Sequence, residues 1–136
     1  MILVDTSVLI NYFKGKKGGK NDVFDAVLSY GIPFGISAYT YQELLQGARN
    51  DKEFATLKEY LSGQKIHLLP ETIETYEAAA KLYFDARRQG ITPRSTIDVL
   101  IAYTCISNNL FLLHDDRDFD ALAGIFPQLK IYDAIE

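Results

Sequence analysis

Short apolar runs alternate along the chain with longer stretches in which apolar residues recur at helical spacing. Residues 2–4, 33–37, 65–69, 110–113 and 129–132 are the short runs, and they predict strands. Residues 7–13, 22–29, 39–48, 51–61, 72–89 and 95–107 carry the helical pattern, and a further helix is expected through Phe119 and Leu122. In the second of these, Val23, Phe24, Val27 and Leu28 share one face, and Gly31 and Pro33 then break it. The helix over 72–89 ends at Gly90, a residue that readily takes the conformation helices stop on. The stretch 95–107 is apolar almost all round, which places it inside the protein. Strand–helix alternation of this kind predicts an α/β fold, a central, mainly parallel sheet of about five strands with helices on both faces. No internal repeat or interdomain linker is visible, so residues 1–136 are read as a single domain.

Four acids stand where these elements meet. Asp5 follows the run Ile2-Leu3-Val4, and Asp116 lies just past Leu110-Phe111-Leu112-Leu113. Glu43 and Asp98 lie early in apolar helical stretches. In open parallel sheets, ligands bind beyond the carboxyl ends of the strands, where the strand order reverses. Acids at such ends are placed to meet, and a group of them cannot stay ionised in a cleft without a cation, because like charges raise one another's pKa. The pattern therefore points to a divalent metal site.

Each acid also has a purely structural reading. Asp5 suits a helix N-cap. Thr40 and Glu43 have the spacing of a capping box, whereas a helix starting from Ser37 would leave Glu43 one turn in, facing the cleft. Ser95 and Asp98 repeat the capping spacing, and an acid there suits the helix dipole. Asp115, Asp116, Asp118 and Asp120 read as a solvated acidic turn, with Asp118 as a possible cap for the last helix and as a second candidate for the metal. His114 precedes them, placed to orient Asp116.

Composition narrows the function little. Fourteen basic and eighteen acidic residues give a net charge of −4, which is not the signature of tight nucleic-acid binding by charge alone. Bound divalent ions would offset the local repulsion, and Lys14, Lys16, Lys17 and Lys20 form a basic loop. That loop invites a phosphate-loop reading, but Lys14 stands at the first glycine position and Asn21 at the hydroxyl position. A mobile basic loop whose lysines touch phosphates is the reading that remains. Cys105 is the only cysteine and lies in an apolar run, a buried structural thiol. Of the aromatics, Phe24, Tyr76 and Tyr83 fall at core spacing, and Tyr12, Phe13, Tyr39 and Tyr41 are placed to pack or to stack. No apolar run reaches the ~18 residues of a membrane span, and the start lacks the basic and apolar regions of a signal peptide, so a cytoplasmic protein is expected.

The four acid contexts together resemble the PIN domain family. Ile2-Leu3-Val4-Asp5-Thr6-Ser7 resembles its opening strand ending in Asp, with Ser7 in the role of the hydroxyl near the metal. Glu43-Leu44-Leu45-Gln46-Gly47 resembles its E-L-x-x-G motif, and Asp98-Val99-Leu100-Ile101-Ala102 its D-x-x-I-A motif. His114-Asp115-Asp116-Arg117-Asp118-Phe119 resembles its fourth motif, with His114 in place of the usual Thr or Ser. The size resembles the VapC-type toxins of prokaryotic toxin–antitoxin pairs. The resemblance implies a Mg2+-dependent endoribonuclease, with Mn2+ as substitute, that hydrolyses RNA phosphodiester bonds. It implies Asp5, Glu43, Asp98 and Asp116 as catalytic metal ligands, with Ser7, Asp118 and His114 supporting them. It also implies a cognate antitoxin protein as partner and a homodimer, to which residues 72–89 are placed to contribute. The alternative is a catalytically silent PIN-like module that binds RNA or protein. A haloacid dehalogenase-type phosphatase is disfavoured, because Ser7 stands where that family needs a second Asp.

Overall fold

The computed structural model describes residues 1–133, and the last three residues of the expected domain lie outside them. The strands are β1 (Ile2–Val4), β2 (Phe34–Ser37), β3 (Lys65–His67), β4 (Phe111–Leu113) and β5 (Lys130–Ile131). The helices are α1 (Thr6–Phe13), α2 (Lys20–Ser29), α3 (Ala38–Gln46), α4 (Asp51–Ser62), α5 (Ile73–Arg88), α6 (Thr96–Asn108) and α7 (Arg117–Ile125). The sheet order is β3-β2-β1-β4-β5, and every neighbouring pair is parallel. Leu3 pairs with Gly35 on one side and with Leu112 on the other, so the strand order reverses at β1. A cleft is expected beyond the ends of β1 and β4 for this reason.

Successive strand residues face opposite sides of the sheet, and the two cores follow that alternation. Ile2 and Val4 of β1 pack with Val8 and Leu9 of α1, Phe24 and Val27 of α2, Leu44 of α3 and Leu61 of α4. Leu3 faces the other way, onto Ala86 of α5, Ile101 and Cys105 of α6, and Phe119 and Leu122 of α7. Helix α6 is buried on both flanks, since Val99 and Leu100 close a further cluster with Ala79. Its uniform apolarity is accounted for in this way.

Several expectations are corrected at the element ends. Helix α3 starts from Ser37, whose Oγ accepts from Thr40 N, so the capping-box reading of Thr40 and Glu43 is set aside. Helix α7 is capped by Asp116, which accepts from Asp118 N, rather than by Asp118. Strand β3 stops at His67, and Leu68 beyond it is 72% exposed. Tyr76, expected in the core, is exposed on α5, where its hydroxyl donates to Glu71 instead. Gly35 is required by close packing: a Cβ there would lie 2.7 Å from the carbonyl oxygen of Lys65 and 2.9 Å from the His67 ring.

Candidate active site

Asp5 ends β1 and caps α1. Its Oδ2 accepts from Ser7 N at 3.0 Å and from Ser7 Oγ at 2.6 Å. Ser7 Oγ in turn accepts from Asp115 N at 2.9 Å, and Asp5 N donates to Leu113 O at 2.9 Å. One serine hydroxyl thus ties the end of β1 to the end of β4. Asp5 is only 5% exposed, and burial raises its pKa against the lowering effect of the Ser7 hydrogen bonds.

Glu43 lies in the second turn of α3. Thr6 Oγ1 donates to Glu43 Oε1 at 2.9 Å and lies 3.0 Å from Thr40 Oγ1, which lies 3.3 Å from Ser37 Oγ. A hydroxyl has one proton to give. Thr6 is the donor toward both Thr40 and Glu43, so its proton serves one of them at a time. Ser37, which donates to Thr40, and Thr40 are buried, so this hydroxyl cluster is shielded from water and holds Thr6 beside Glu43.

Asp98 lies in the first turn of α6, beside Asp116 and Asp118 at the start of α7. One carboxylate oxygen from each of the three lies within 4.8 Å of the others. The pKa of Asp98 is pushed up to about 7, first by burial and then by the charges of Asp116, Asp5, Asp118 and Glu43. Asp5, Glu43 and Asp116 are therefore all near enough to Asp98 for their charges to act on it, with Asp118 as a fifth acid. Asp98, Asp116 and Asp118 form the tight group, and Asp5 and Glu43 are held beside it by their hydroxyl partners.

Arg94 is a member of the cleft that motif reading misses. Its Nε donates to Asp118 Oδ2 at 2.8 Å and its Nη2 to Asp116 Oδ1 at 3.2 Å. This fork holds the Asp118 carboxyl below its usual range. Thr6, Thr40 and Ser37 were also not singled out as site residues. His114 is 1% exposed and packs against Phe119. Its Nδ1 accepts from Asp116 N at 3.0 Å, so the ring proton sits on Nε2, 3.1 Å from Asp120 Oδ1. Burial lowers the pKa of His114, which favours that neutral form, and the ring fixes the backbone of the turn that presents Asp116. Cys105 is buried, and its thiol is pushed up by burial and stays protonated.

The donor set is made of carboxylate oxygens, the ligands hard divalent cations take. A carboxyl that holds its proton to about pH 7 among four like charges marks a place where positive charge is missing. The residues therefore fit Mg2+ or Mn2+, with Asp98 and Asp116 or Asp118 as the nearest set of ligands.

The PIN domain family profile matches residues 2–125. The chain belongs to the PIN domain family. This PIN domain is 32% identical over 126 residues to the VapC ribonuclease Mb1587 of Mycobacterium bovis, covering 92% of this chain and 93% of that protein. It is equally similar to ribonuclease VapC11 of Mycobacterium tuberculosis, at 32% identity and the same coverage. Its fold is that of VapBC-1 from nontypeable Haemophilus influenzae, with a TM-score of 0.72 over 98% of each chain at 23% identity.

Proposed function

We propose that this PIN domain is a divalent-metal-dependent endoribonuclease and the toxin of a VapBC-type toxin–antitoxin pair. The observation that carries this reading is the cluster of Asp98, Asp116 and Asp118, with Asp5 and Glu43 near enough for their charges to add to the burial that raises the Asp98 pKa. The 32% identity to VapC ribonucleases along nearly the whole chain supports RNA as the substrate. The bound cation supplies Lewis acidity, easing deprotonation of a water and offsetting charge on the phosphate. Asp98 and Asp116 would hold it, with Asp5 beside them and Asp118 as the further ligand. Glu43, fixed by the Thr6 hydroxyl, would orient the attacking water and take its proton. Ser7 would keep Asp5 aimed into the cleft, and His114 would do the same for the turn bearing Asp116.

The partners follow from surfaces. A groove of about 1040 Å3 opens beside Glu43, with Ile10, Phe13, Leu44, Leu57 and Tyr60 along its apolar lining. It would take the apolar face of an antitoxin segment. Exposed Leu68, Ile73 and Tyr76, at and before the first turns of α5, support a homodimer. No helix among the described residues is long and apolar enough to cross a membrane, and we place the activity in the cytoplasm.

The test is hydrolysis of a broad RNA pool by the purified protein in Mn2+, with cleavage sites read at the new 5′ ends. Cleavage should vanish in Asp5→Asn and Asp98→Asn and on chelation of the metal. Folded wild-type protein that binds RNA or an antitoxin but cuts nothing would assign the chain to a silent binding module.

A further inference from the structure

Arg94 bridges two acids at the start of α7 and takes no part in the hydrolysis described above. Its Nε donates to Asp118 Oδ2 at 2.8 Å and its Nη2 to Asp116 Oδ1 at 3.2 Å, across 24 and 22 residues of sequence. The Arg94 side chain is 65% exposed, whereas those of Asp116 and Asp118 are 26% and 18% exposed, so the guanidinium closes the pair from its solvent side. The same two acids form, with Asp98, the group that brings one carboxylate oxygen from each member within 4.8 Å of the others. A carboxylate has two oxygens. Arg94 uses one from each acid, which leaves a second oxygen on each that the fork does not take.

The backbone that carries Arg94 is fixed on both sides. Gly90 turns the chain after α5 with a φ of 85°, and Ile91 N donates to Ala86 O at 2.9 Å. Ile91 packs against the core cluster that holds Ile101 and Cys105, Pro93 is buried, and Ser95 Oγ caps α6 by accepting from Ile97 N at 3.1 Å. From this anchored segment a planar guanidinium can bond two carboxylates at once, which the point charge of an ammonium does not reproduce. Without the bridge the two like charges repel, and nothing in the fork would keep Asp118 turned toward Asp116. An ion pair as exposed as this adds little to folding stability, so the fold alone gives weak grounds for it.

We propose that Arg94 is a positioning residue of the metal site: it binds one oxygen of Asp116 and one of Asp118, and so keeps the pair in the arrangement with Asp98 that holds a divalent cation. It acts through the two carboxylates. This inference rests on the metal-dependent reading of the cleft. It runs against bare electrostatics, because a fixed positive charge beside a cation site weakens binding unless the order it imposes on the ligands outweighs the repulsion. The sign of the effect therefore separates the two.

The test is calorimetric titration of the purified chain with Mn2+, which needs no cleavage. Arg94→Gln should bind Mn2+ about tenfold more weakly, the usual order for losing a group that orients a metal ligand. Arg94→Lys should recover part of the loss, since an ammonium keeps the charge but not the fork. Lys58→Gln, which removes an exposed cation on α4, should bind as the wild type does. Tighter binding in Arg94→Gln would show the guanidinium competing with the cation for the same carboxylates, and it overturns the proposal, as does unchanged binding. If Arg94→Gln fails to fold, judged by circular dichroism in chelator, Arg94→Lys decides: weaker binding supports the positioning role, and wild-type affinity overturns it. In the cleavage assay the Mn2+ concentration for half-maximal rate should rise about tenfold in Arg94→Gln, with most of the rate regained at saturating Mn2+. A rate lost at every Mn2+ concentration would place Arg94 on the substrate and overturns the role. A wild type that never cleaves, with Mn2+ affinities ordered as expected, removes the nuclease reading and leaves the role of Arg94 standing. Cleavage by the wild type, with Mn2+ affinity equal across the Arg94 variants, does the reverse. A wild type that takes up no Mn2+ overturns both.

Discussion

Ser7 shows how much a single hydroxyl organises in this cleft. It donates to Asp5 and accepts from the backbone of Asp115, 108 residues away in sequence. Ser7→Ala leaves the Asp115 N–H without its acceptor and Asp5 with one hydrogen bond fewer. The expected loss is about 1–2 kcal/mol, read as a lower urea midpoint at unchanged slope. Cleavage should fall in the same variant, and Ser7→Thr, which keeps the hydroxyl, should recover part of both. The pairing of Asp5 with Ser7 was legible because an acid directly after a buried strand, followed by a small hydroxyl, is a local pattern. Arg94 and Thr6 were not legible. Their partners lie 22, 24 and 37 residues away, and nothing in a local window marks a side chain that will fold back onto a distant carboxylate.

At the scale of elements, the cleft is built where helices begin. Asp5 and Asp116 cap α1 and α7, Asp98 sits in the first turn of α6, and Glu43 lies one turn further into α3. Helix N-termini carry partial positive charge, which makes each position tolerable for one acid without making the group of them comfortable. The cap and a place in the acid group are therefore compatible at Asp5 and at Asp116, since a capping oxygen leaves the carboxylate beside its acidic neighbours. Strand β2, which leads into α3, depends on Gly35. Gly35→Ala would push a methyl into the Lys65 carbonyl and the His67 ring, forcing β3 away from the sheet. We expect a loss of about 1–3 kcal/mol, with faster amide exchange across residues 65–67. Protection there equal to that of the wild type would show that β3 accommodates the methyl.

At the scale of the whole molecule, the concentrated acids couple stability to pH and to metal. Folded Asp98 holds its proton up to about pH 7, whereas in the unfolded chain it gives the proton up near 3.8. Between those values the folded protein binds more protons, so the stability contributed by this group falls as pH rises through the window and levels off above it. In chelator, Asp98→Asn should flatten that part of the profile and raise the melting temperature near pH 7.5 by a few degrees. In Mn2+ the order reverses: the wild type should gain stability that the variant does not, and the gain should shrink as pH falls below about 7, where the proton competes with the metal for Asp98. Equal Mn2+ stabilisation of both proteins at every pH would remove Asp98 from the ligand set.

The sequence by itself determined the alternation of strands and helices, the buried α6, and the placing of acids at the element ends, because hydrophobic period and strand-end chemistry are local properties of the chain. It left open whether Ser37 or Thr40 starts α3, it offered Asp118 rather than Asp116 as the cap of α7, and it did not show what faces the carboxylates. Only the tertiary structure decided these, because each depends on which atoms from distant segments arrive within hydrogen-bond reach once β1 and β4 lie side by side.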